Sequence, residues 1–142
     1  MVEPMLLHDS IIKLDYNPAT DVLVTCMPDL RPYALPEVSY CLELMVESIR
    51  NYNIKKMLLD SSHTLIEVED ASYKAVMAQF AWALADTHLK KIARVGTDDI
   101  KREDKAARLA SELRAEVNLP VEYKSFLSHT EAMNWLLAGE QA

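Results

Sequence analysis

The residues of this chain best suited to chemistry stand together in LLDSSHT, positions 58–64. A short apolar run ends in Asp60, and Ser61, Ser62 and His63 follow at once. A carboxylate beside hydroxyls and an imidazole fits three roles: a phosphoacceptor, a nucleophile with its base, or a turn whose side chains bond the backbone. The nucleophile reading is the weakest. Adjacent residues rarely aim at one another, triads are assembled from separate loops, and no glycine-flanked elbow accompanies these residues. No catalytic residue is therefore expected. The carboxyl end of a parallel strand is where open α/β sheets take ligands, so the loop from Asp60 to Glu69 is the expected contact region.

A second hydroxyl, Ser72, sits among Glu67, Glu69 and Asp70. A phosphate there would bring roughly −1.5 to −2 charges against three carboxylates. Asp70 reads instead as the cap of a helix whose first turn favours acids. His8, His63, His88 and His129 lack metal-ligand spacing, so neither a metal nor a cofactor is expected. Cys26 and Cys41 are too few for a disulfide framework and read as small hydrophobes.

Composition excludes further classes. Two glycines leave no phosphate loop and no dinucleotide fingerprint. A net charge of −7 argues against nucleic acid as a partner. No stretch approaches the ~20 apolar residues of a membrane span, and MVEPMLLHD lacks a basic leader, so a cytoplasmic location is expected.

The elements that position these residues follow from periodicity. Ile11 to Tyr16 and Asp21 to Met27 read as a hairpin around Asn17-Pro18-Ala19-Thr20. Val38, Cys41, Leu42, Met45, Val46 and Ile49 form one helical stripe from Glu37, and Lys56 to Leu59 a buried strand. A second helix spans Asp70 to His88, followed by strand 91–95. A third helix runs from Asp98 to Val117, with Ile100, Ala107, Leu109, Ala110, Leu113 and Val117 as its apolar set. Val121 to Phe126 is a strand, and Ser128 with Glu131 forms a capping box that opens a last helix. The order ββαβαβαβα implies one α/β domain over residues 1–142, a mostly parallel mixed sheet with an antiparallel edge hairpin.

The second helix is unusual. AVMAQFAWALA, residues 75–85, is apolar on nearly every side and must be covered on more than one. Met77, Phe80 and Trp82 are therefore candidates for a protein interface, a homodimer contact or an apolar pocket, with core packing as the plain alternative.

The element order and size resemble STAS domains, the fold of the anti-sigma-factor antagonists, and more closely the small bacterial SpoIIAA-like group. IIKLDYNPATDVLVT is similar to that group's opening hairpin, and Phe126-Leu127-Ser128 with Glu131-Ala132 and Trp135-Leu136 to its ending. The group is also likened to CRAL-TRIO lipid-transfer domains. The resemblance implies a regulatory, protein-binding module, or alternatively a binder of a lipid or small apolar ligand. The antagonists are phosphorylated on a serine of a D-S-S-G loop at a helix entrance. Asp60-Ser61-Ser62 matches its first letters, but His63 replaces the glycine, and by element order the switch position falls nearer Asp70-Ala71-Ser72.

Overall fold

The computed structural model describes residues 5–6 and 12–138. The expectations placed on Ile11, His8 and the first four residues lie outside the described residues.

Six strands line up in chain order: β1 (Met5–Leu6), β2 (Leu14–Asn17), β3 (Val22–Cys26), β4 (Lys56–Asp60), β5 (Lys91–Val95) and β6 (Glu122–Phe126). β1, β2 and β3 pair antiparallel, and β3 through β6 pair parallel. Helices α1 (Leu35–Asn51), α2 (Asp70–Leu84) and α3 (Ile100–Val117) connect the parallel strands, and α4 (His129–Leu137) follows β6. The fold is thus α/β with a mixed, mostly parallel sheet. The expected order gains one element and becomes βββαβαβαβα. The two residues of β1 are too few to carry a readable period.

Turn chemistry builds the β2–β3 hairpin. The Asn17 side chain accepts from Ala19 N at 3.0 Å, its carbonyl accepts from Asp21 N at 2.8 Å, and Asp21 closes the turn at φ 58°. Asp21 Oδ1 also takes the Tyr16 hydroxyl at 2.8 Å. Partial burial, helped by that bond and the Asp21 charge, pushes the Tyr16 phenol up to about 12.

Side chains alternate across the sheet, so each strand feeds two cores. Leu23, Met57, Leu59 and Ile92 face Val38, Met45 and Ile49 of α1 and Val76, Phe80 and Leu84 of α2. Val22, Leu58, Ala93 and Val95 face Ala132 and Leu136 of α4. Right-handed crossovers that step one way across a sheet put their helices on a single face. Accordingly α1, α2 and α3 share one side, and α4 covers the other.

Several helix boundaries differ from expectation for local reasons. α1 starts two residues early because Pro36, which has no N–H, suits the first turn. The residue capping α2 is Glu69, with no side-chain cap bond; Asp70 is already helical and pairs with Lys105 at 2.9 Å. α2 ends at Leu84, short of His88. Asp99 caps α3 through Arg102 N, and Asn118 ends it at φ 56°. Within α3, Ala106 rather than Ala107 turns inward, and Ile100 is exposed. The Ser128 box is present: its hydroxyl accepts from Glu131 N at 3.2 Å and lies 3.2 Å from Glu131 Oε1.

Candidate functional site

Two places gather functional groups, one on each side of β4. On the α4 side, the end of β4 presents Asp60. Its Oδ1 accepts from Ser62 N at 2.9 Å and from Ser62 Oγ at 2.6 Å. Its Oδ2 lies 2.9 Å from Nε2 of His129, the first residue of α4. Partial burial opposes ionisation of Asp60, but the bonds from Ser62 and His129 outweigh it and hold the carboxyl below its ordinary range. Cys26, exposed at the end of β3 and register partner of Asp60, has its thiol pushed up by burial of its sulfur and by the Asp60 charge.

His63 Nδ1 is 3.1 Å from Ser62 Oγ. A serine hydroxyl has one proton, and the shorter contact gives it to Asp60. His63 Nδ1–H is then assigned as the donor to Ser62, which defines the tautomer. In that arrangement the imidazole donates to Ser62 rather than accepting its proton, and a carboxylate of depressed pKa is a poor proton acceptor. The cluster is a hydrogen-bonded turn with an exposed imidazole on either side.

Ser61 points the other way. It is 7% exposed, its N–H donates to Val95 O at 2.8 Å, and its carbonyl accepts from Arg102 Nη2 at 3.0 Å. As a candidate phosphoacceptor it is thus turned inward, whereas Ser62 is half-buried at the turn and Ser72 half-buried in the first turn of α2.

On the other side of the sheet, a cavity of about 100 Å³ lies between β4–β6, α2 and α3. Leu59, Met77, Phe80, Ile92, Leu113 and Val121 supply its apolar wall. Ser61, Tyr73, Arg94 and Tyr123 supply the polar part. Burial raises the Tyr73 and Tyr123 phenols.

Arg94, 5% exposed, is a charge inside a buried strand, and it is paired. Its Nη1 and Nη2 meet Glu103 of α3 at 2.6 and 3.2 Å. Thr97 adds its N–H at 3.1 Å and its hydroxyl at 3.0 Å to the same carboxylate. Burial works against both charges, but these bonds keep Arg94 raised and Glu103 lowered. Arg94 is therefore neutralised within the cavity wall, and Arg114, exposed on α3, is the other charged residue that lines it.

The apolar candidates separate. Met77 and Phe80 line the cavity, and Phe80 is 5% exposed. Trp82 is 61% exposed and lies outside it. Two positions apart on a helix is about 200°, so Trp82 faces away from Phe80. Grouping the three as one patch is corrected on that ground.

Sequence reading missed His129 and the Arg94–Glu103 pair. For His129 no local signal exists, since its partner is 69 positions away. For Arg94 the signal was a charge flanked by apolar residues within KIARV. Among the described residues no group of three or more His, Cys, Asp or Glu is placed to hold a metal, and no helix is long and apolar enough to cross a membrane. No protein-family model matches the chain, and neither the curated proteins nor the solved structures give a match.

Proposed function

We propose that this chain is a non-catalytic, STAS-like module that takes up a small, neutral, apolar molecule between α2, α3 and the sheet. The observation that carries this reading is the cavity beside Met77 and Phe80. Its volume, about 100 Å³, compares with roughly 150 Å³ for an engineered apolar cavity that stays dry and binds benzene. One small ring or a short branched chain matches that space; a long acyl chain does not unless α2 and α3 part. Because Glu103 already neutralises the buried Arg94, and Arg114, the other arginine of the lining, is exposed to solvent, an uncharged occupant is favoured over an acid.

The STAS-like assignment is supported by the antiparallel opening, the three crossover helices on one face and the single helix on the other. The regulatory, protein-binding reading has one observation of its own: Trp82 presents a large apolar surface to solvent. An exposed aromatic identifies no partner, and the cavity reading ranks above it.

Titration of the methyl-labelled protein with benzene, toluene and indole tests the proposal by NMR. Saturable shifts at Met77 and Leu113, with a raised melting temperature, are expected, because a ligand that binds only the folded state stabilises it. Ala110→Leu, which fills the space from α3, should abolish the shifts in a folded protein. No saturable response to any of the three compounds overturns the reading.

A further inference from the structure

β6 ends the sheet, and β5 is its one strand neighbour among the described residues. Glu122 N donates to Lys90 O, and Phe126 O accepts from Gly96 N, both at 2.9 Å. Residues 122, 124 and 126 therefore spend their backbone groups on β5, and Tyr123 and Ser125 aim theirs at the open edge. Such an edge is a template for another strand, and natural edges are commonly blocked by a charged side chain such as lysine. Lys124 is such a residue, yet Glu122 sits two positions before it on the same face. Both are exposed, on the side where α4 lies mainly over β4 and β5.

That spacing makes the edge complementary to itself. We infer that β6 pairs antiparallel with β6 of a second copy of this chain, Tyr123 opposite Tyr123, joining two sheets into one. In this register the facing tyrosines exchange both backbone hydrogen bonds. Glu122 then stands opposite Lys124 of the second copy, and Lys124 opposite its Glu122. These are non-hydrogen-bonded positions, where side chains approach most closely. Moving the centre of symmetry to Lys124 sets two like charges face to face. Moving it to Ser125 leaves Glu122 beyond the strand end and loses both attractive pairs. Of the registers centred on Tyr123, Lys124 and Ser125, charge therefore selects the one centred on Tyr123, whose backbone groups point outward. The pairs are exposed, so added salt weakens the dimer.

Sedimentation velocity of the full chain at low ionic strength tests this. The wild type is expected to dimerise with rising concentration. Glu122→Lys and Lys124→Glu, each alone, turn two symmetry-related attractions into repulsions and should weaken the dimer about tenfold or more. Glu122→Lys combined with Lys124→Glu in one chain should restore it, and an equal mixture of the two single variants should form a heterodimer. All four positions changed across the dimer are surface positions, so circular dichroism should be unaltered. A wild type that stays monomeric at every concentration overturns the inference, as does a dimer indifferent to the reversals or a double variant that fails to recover.

Discussion

Arg94 of β5 and Glu103 of α3 meet through two parallel hydrogen bonds, and Gly96 lies directly beneath them. A Cβ on Gly96 would press into Glu103 Oε1 and come within 2.6 Å of Arg94 Nη1. The glycine is thus the residue that lets a helix carboxylate close over a strand guanidinium. Glu103→Ala would leave Arg94 charged and buried without its partner. The expected loss is about 3 kcal/mol or more in urea unfolding. Gly96→Ala should cost about 1–3 kcal/mol by displacing the same carboxylate. Wild-type stability in both variants would refute this account of the pair.

Acid should act through two carboxylates. Asp60 and Glu103 are held below their ordinary values of 3.8 and 4.5. A depressed folded-state value means that the unfolded chain binds protons more readily. The stability these groups contribute is present above those ordinary values and is lost as pH falls through the lower folded-state values. Urea midpoints measured from about pH 6 down to about pH 2 should fall, and Glu103→Gln and Asp60→Asn should each flatten the decline. Unchanged slopes in both variants would show that the acid sensitivity lies elsewhere.

Phe80 and Trp82 should answer differently to truncation. Phe80→Ala removes a ring from the core beside an existing cavity and is expected to cost about 3–5 kcal/mol. Trp82→Ala removes an exposed ring and should stay within about 0.5 kcal/mol. Equal losses in thermal or urea unfolding would place Trp82 against something that the isolated fold does not show.

The α4 entrance offers a cleaner test of local structure. Ser128→Ala deletes the acceptor for Glu131 N and should cost about 1 kcal/mol. Ser128→Asn should recover most of it, since asparagine caps as well. Failure of the asparagine variant to recover stability would mean that the serine acts by some route other than capping.

Short-range features were legible in the sequence because their causes are local. The Asn17-Pro18 turn, the α1 stripe and the Ser128 box each depend on residues within a few positions of one another. The turn at Asp60 to Ser62 was legible for the same reason, though not the bond its hydroxyl makes to the carboxylate. What joins Asp60 to His129, or Arg94 to Glu103, is sheet order and helix placement, which spacing along the chain does not encode. The apolar run 75–85 misled in a specific way. Its composition demands cover on several sides, but angular position sends Phe80 inward and Trp82 outward, and alanines at 75, 78 and 85 mask the difference. Ser61 and Ser62 show how sharp the limit is: neighbours in sequence, they serve opposite sides of the sheet.

The sheet is thick on one side, with three helices, and thin on the other, where nine residues of α4 roof Leu58 and Ala93. The same short helix holds His129 against Asp60. Any breathing of this thin side bares core leucine and parts the imidazole from the carboxylate in a single event. Amide exchange in α4 should then report the same opening that parts this pair, which ties the polar turn at the strand end to the integrity of the roof.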